Sequence, residues 1–206
     1  MTEARAEVLR RIRAALAAAP PESVVIPRDY DRAPLDGPAD IARFAETVAD
    51  YRAQVRRISA GEISATVAAL VATGGVVAIP DDLPPGWVAE VSTMRDDPAA
   101  RLSNDRLEAA AAVVTGCALG IAATGTIVLD GGTAQGRRVL TLIPDHHICV
   151  VFAEQVVDTV PQGFAALDPV RPLTFISGPS ATSDIELERV EGVHGPRTLD
   201  VLIVEP

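Results

Sequence analysis

The stretch Leu173–Pro206 reads LTFIS-GPSATSDIELERV-EGVHGP-RTLDVLIVEP, and its reading decides the fold. Leu173–Ser177 is a short apolar run of the kind buried in a parallel sheet. Gly178 and Pro179 break it. Ser183 followed by Glu186 has the spacing of a capping box, which predicts a helix start. Gly192 ends that helix, Gly195-Pro196 turns the chain, and Leu199–Val204 predicts a second strand. The whole is a β-turn-α-turn-β unit of minimum length. It puts Ser177, Gly178, Ser180, Thr182, Ser183 and Asp184 at a strand's carboxyl end beside a helix N-terminus. Open α/β folds bind ligands in such places.

A second stretch, Cys117–Gly136, reads CALGIAATGTIVLDGGTAQG. Its β-branched run is interrupted by Thr124-Gly125-Thr126, and a glycine inside a strand marks a bulge or a close backbone approach. Asp130-Gly131-Gly132 predicts a turn and Arg138–Ile143 a returning strand, paired antiparallel. His147–Phe152 is another strand and Val156–Leu167 a helix.

Upstream, residues 2–19 predict an amphipathic helix with Val8, Ile12, Leu16 and Ala19 on one face. Five prolines between residues 20 and 38 predict an irregular linker. Ile41, Phe44, Val48, Tyr51, Val55 and Ile58 alternate steps of three and four, which predicts one helix over Ala39–Ser59. Its apolar stripe must pack on the chain's own sheet or on a partner subunit. Ile63–Thr73 is a shorter helix, Val76–Pro80 a buried strand, and residues 81–101 a loop. Asp105–Ala110 is a turn or two of helix, and Ala111–Thr115 a strand. The expected organisation is a helical arm over residues 1–60 and an α/β domain over 61–206.

Composition removes whole classes of chemistry. All 18 basic residues are arginine, so no lysine can form a Schiff base or a Walker A contact. Cys117 and Cys149 stand alone, too few to ligate an iron–sulfur cluster or a structural zinc. Residues 61–206 hold 8 arginines against 19 acids, and such a domain repels nucleic acid. No apolar run approaches the about 18 residues of a membrane span, and the N-terminus lacks a signal-peptide core. The expected location is the cytoplasm.

Chemistry-bearing residues are few. His146 and His147 are adjacent on a strand and face opposite ways, which makes a poor chelate, so no metal site is expected. His147 is expected to hydrogen-bond at a strand start and face a cleft. His194 lies between glycines on a turn, suited to holding an anion or to acid–base work. The hydroxyls at Ser177, Ser180, Thr182 and Ser183 either cap a helix or bind an anion. Neither a G-x-S-x-G elbow nor a G-x-G-x-x-G fingerprint accompanies them.

Three motifs resemble the LUD-domain family: GIAATGTIVL (120–129), LIPDHHICVV (142–151) and ISGPSATSDIELERVEGVHGPRTLDVLIVE (176–205). The resemblance implies a Rossmann-like three-layer α/β fold with a mixed, mostly parallel sheet, similar to the NagB/RpiA/CoA-transferase group. It implies an accessory or subunit role in oxidising L-lactate, beside a partner protein that carries iron–sulfur clusters, with no cofactor on this chain. A small anionic metabolite would then sit on Thr124, Gly125, Thr126, His147, Ser177, Gly178, Ser180, Thr182, Asp184 and His194. The family pattern commonly has a glutamate where this chain has Ala123. The other reading is a stand-alone enzyme or sensor for a CoA-like, phosphorylated or carboxylate metabolite. A homo-oligomer is compatible with either.

Overall fold

The structure is a computed structural model that describes residues 3–18, 25–30, 39–72, 74–179, 181–182, 190–191 and 195–206. The chain forms two compact units, Met1–Asp31 and Arg32–Pro206. The first contains α1 (Glu3–Ala18), on which Val8, Ile12 and Leu16 are exposed.

The second unit is built on six parallel strands. In chain order they are β1 (Gln54–Ser59), β2 (Val76–Pro80), β3 (Ser92–Asp96), β4 (Ala112–Thr115), β7 (His146–Phe152) and β12 (Thr198–Glu205). Their spatial order is β1-β12-β7-β4-β2-β3. The central strands are mostly apolar, as suits strands buried on both faces, with the buried polar residues His147 and Asp200 near the starts of β7 and β12. A second, four-stranded sheet runs β8-β5-β6-β9, from β5 (Leu119–Ile121), β6 (Thr126–Leu129), β8 (Val156–Val157) and β9 (Thr174–Ile176).

One face of the large sheet carries Cys149, Val151, Leu199, Val201 and Ile203. It packs on Phe44 and Val48 of α2 (Ile41–Asp50) and on Ile127 and Leu129 of the second sheet. The other face carries Ile148, Val150, Val77, Ile79, Leu202 and Val204. It packs on Ile63 and Val67 of α3 (Ile63–Leu70) and on Leu83 and Val88. The α4 turn (Asn104–Glu108) buries Leu107 against Ala78, Val113 and Leu140, and α5 (Val160–Ala166) lies on β5. The result is the expected α/β fold with a mostly parallel sheet.

Several local expectations are corrected. The helix over Ala39–Ser59 stops at Asp50, and Gln54–Ser59 is an edge strand. Arg52 takes a positive φ of 67°, which breaks the helix path. Val55 and Ile58 stand an odd number of residues apart, so on a strand they serve opposite faces, as their two core clusters confirm. The apolar stripe of α2 is thus spent on the chain's own sheet. Residues 81–101 contain β3, a strand of the large sheet. Arg138–Thr141 is a 3-10 turn, not a returning strand. Val156–Leu167 is a two-residue strand followed by α5.

The decisive stretch is also rearranged. Only Thr198–Glu205 joins the parallel sheet; Thr174–Ile176 pairs antiparallel with β6 in the second sheet. The two strands are therefore not one parallel unit. Between them, β10 (Ala181–Thr182) pairs antiparallel with β11 (Val190–Glu191). The helix expected from Ser183 lies outside the described residues.

Candidate functional site

The two stretches singled out in the sequence meet. The hydroxyls of Thr124 and Thr126 lie 2.7 Å apart, and Thr126 Oγ1 lies 2.9 Å from Ser177 Oγ. β6 and β9 bring them together, with Ile127 opposite Ile176 in the antiparallel register. The glycines have a structural task here. Gly125 (φ 57°) and Gly178 (φ 80°) both take the left-handed conformation, and both lie against the end of α2. A Cβ on Gly125 would overlap the Thr47 carbonyl, and one on Gly178 would overlap the Tyr51 carbonyl. Thr47 Oγ1 adds a bond to Ala122 O at 2.7 Å, which fixes the Thr-Gly-Thr turn on the helix.

Ser177 and Gly178 line a cavity of about 210 Å³, together with Arg138, Thr141, His147 and Gly195. The cavity lies at the amino-terminal edge of the parallel sheet, because His147 and Leu199 are each the second residue of their strands. The expected position at a carboxyl end holds for β9 alone. His147 is 1% exposed. Its Nε2 lies 2.8 Å from Thr115 Oγ1. Arg138 Nη1 donates to Thr141 O (3.0 Å) and Thr141 Oγ1 (2.7 Å). Among the described residues no carboxylate pairs with Arg138. Partial burial lowers its pKa from the usual arginine value.

Of the other expected site residues, Ser180, Asp184 and His194 lie outside the described residues. Thr182 sits on β10, paired through its backbone with Val190. Ala123, where the glutamate was expected, donates its N–H to Asp158 O at 2.9 Å. Arg138, Thr141 and Thr115 were missed from sequence. The first two were read as parts of a strand and the third as plain sheet core.

His147 is backed by thiols. Thr115 Oγ1 donates to Cys149 Sγ at 4.0 Å, and Cys149 Sγ to Gly116 O at 3.8 Å. Cys117 lies next to Cys149; that thiol neighbour and burial both push Cys117 well above the usual thiol range. Both cysteines are buried and free. Among the described residues no cluster of histidine, cysteine and acid could hold a metal ion.

Two further cavities, of about 700 and 610 Å³, open at the carboxyl ends of the parallel strands. The loop from Asp130 to Arg137 divides them. Asp82 holds it by accepting Ala134 N–H at 2.9 Å, and Gly116 N–H donates to Ala134 O at 2.8 Å. Burial raises the pKa of Asp130, but Arg171, the Gly132 N–H and Gln135 outweigh it and hold the carboxyl below its usual value. Asp82 is thus a loop anchor, as a carboxylate at a turn commonly is.

The profile of the LUD domain matches residues 41–204. The chain is 44% identical to Lactate utilization protein C of Deinococcus radiodurans, over 98% of this chain and 96% of that protein. It is 32% identical to Lactate utilization protein C of Geobacillus kaustophilus, over 75% of this chain and 72% of that one. Among solved structures, a DUF162 family protein of Deinococcus radiodurans superposes with a TM-score of 0.67 at 40% identity. That match covers 79% of this chain and 94% of the other. Among the described residues no helix is long and apolar enough to cross a membrane. With its parallel sheet, its Thr-Gly-Thr turn joined to Ser177 and this near-complete kinship, the chain belongs to the LUD-domain family.

Proposed function

We propose that this chain serves lactate utilization in the cytoplasm, as an accessory or subunit protein beside a partner that carries iron–sulfur clusters. The observation that carries the reading is 44% identity, across nearly the full length of both chains, to a protein named for lactate utilization. Two cysteines are too few to ligate a cluster here, so electrons from lactate would have to pass through another protein. In the same reading a small anionic metabolite occupies the cavity beside Ser177 and Gly178. Its volume of about 210 Å³ falls below the roughly 300–1,000 Å³ of pockets for drug-sized ligands, which favours a molecule of a few heavy atoms.

Deleting the gene tests the role. The account expects growth on L-lactate as sole carbon source to fail, and growth on glucose to continue. Undiminished growth on lactate, with no second copy of the gene in the genome, would remove the proposal.

A further inference from the structure

The chain reverses its direction across the large sheet between two neighbouring strands. From β2 it passes outward to β3; from β4 it passes the other way, to β7 and then β12. Open α/β sheets bind ligands in the crevice outside the carboxyl ends at such a point. The cavity of about 700 Å³ lies there, since Trp87 follows β2, Gly116 follows β4, and both line it. Its volume falls within the roughly 300–1,000 Å³ of ordinary small-molecule sites. It shares no lining residue with the cavity beside Ser177 among the described residues.

One wall is aromatic. Trp87 lies over Gly116, where a Cβ would meet its ring at 3.6 Å. Phe152, the last residue of β7, stands against it with ring centroids 5.8 Å apart and planes tilted by 40°. Both rings are half-buried and line the cavity. Gln155 fixes this wall. Its Oε1 accepts the Phe152 N–H at 2.9 Å, and its Nε2 donates to Cys117 O at 2.9 Å.

The charge left over has one sign. Asp130, Glu154, Asp168 and Arg171 line the cavity, and Asp130 pairs with Arg171. Glu154 and Asp168 remain, both exposed, and among the described residues no arginine pairs with either. Residues 61–206 hold 8 arginines against 19 acids, so the wider field also attracts cations and repels anions. The faces of aromatic rings favour the same sign.

We propose that this cavity binds a small organic cation, an ammonium or charged heterocycle on an apolar body. Glu154 and Asp168 draw its charge, and Trp87 and Phe152 pack on its body. The site is separate from the one beside Ser177 and does not rest on the lactate reading.

Trp87 is the only tryptophan, so its indole N–H gives a single proton–nitrogen NMR signal that reports this cavity. The full chain is titrated with benzylammonium, benzyl alcohol and benzoate, which share a ring and differ in charge. Benzylammonium is expected to shift the signal saturably and to bind about tenfold more tightly than benzyl alcohol, the sum of a cation–π contact and an exposed ion pair. Benzoate should leave the signal in place. Raising the salt to 1 M should narrow the gap between cation and alcohol. Glu154→Gln, at an exposed position, should weaken benzylammonium about threefold and leave benzyl alcohol unchanged. Benzyl alcohol or benzoate binding as tightly as benzylammonium would overturn the ligand class. Benzylammonium binding unchanged in Glu154→Gln would overturn the part given to that carboxylate. No saturable shift with any of the three probes would overturn the site itself.

Discussion

Thr126 Oγ1 and Ser177 Oγ are separated by 51 residues in the chain and by 2.9 Å in space. Their contact ties the start of β6 to the end of β9 within the second sheet and joins the two glycine-interrupted turns at one place. The turns hold because α2 runs its last carbonyls against backbone that has no Cβ. Alanine at Gly178 would meet both a left-handed φ and the Tyr51 carbonyl. Gly178→Ala is expected to destabilise the protein by about 2–4 kcal/mol in urea unfolding. Gly61 has open space around it and an ordinary φ, so Gly61→Ala should change stability little. Equal effects at the two positions would contradict the packing described here.

Phe44 is 0% exposed, and its ring fills the space above Gly120. Phe44→Ala should cost the isolated chain about 3–5 kcal/mol, seen as a lower urea midpoint with no partner present. A variant of unchanged stability that instead lost a binding partner would return the α2 stripe to the surface.

Asp96 sets an acid limit. Burial raises its pKa, but the Arg137 guanidinium, the Leu102 N–H and Arg101 together outweigh burial and hold the carboxyl below its usual value. A carboxyl whose pKa is lower folded than unfolded gives stability that is full above the unfolded value, about 3.9, and is lost as pH falls through the folded one. Urea midpoints measured downward from pH 5 should therefore fall, and Asp96→Asn should flatten part of that fall. The same variant should lose about 3 kcal/mol at pH 7, because Arg137 is left without its acid. A pH profile identical in the two proteins would dismiss Asp96 as the group responsible.

Cys117 and Cys149 are 4% and 0% exposed. Neither should react with a thiol reagent such as DTNB in the folded protein, and both should titrate in denaturant. Prompt labelling of one thiol at full native stability would show an opening of the sheet that the packing does not provide.

Much of this was written in the sequence. Apolar runs such as Val76–Pro80 and Val201–Val204 read as buried parallel strands because nothing polar interrupts them, and they are. The meeting of Thr-Gly-Thr with Ser177, and the cavity position of His147, were also legible. What escaped was set by partners far along the chain. Leu173–Ser177 looks like any short apolar run; only pairing with β6 assigns it to the second sheet. Ser92–Asp96 is too polar to announce a strand, and it is one because it sits at an edge. Val55 and Ile58 fit a helical spacing and a strand equally well until Arg52 breaks the path. Arg138 and Thr141 carry no motif, and it is a 3-10 turn in place of a strand that sets them in the cavity wall.

The most direct measurement is a gentle purification of the tagged protein from its own cells grown on L-lactate, followed by iron analysis and mass spectrometry. The account predicts a brown, iron-containing protein eluting with this chain, with the complex absent from a mock purification. A colourless chain eluting by itself, from cells shown to contain the lactate-oxidising activity, would contradict it.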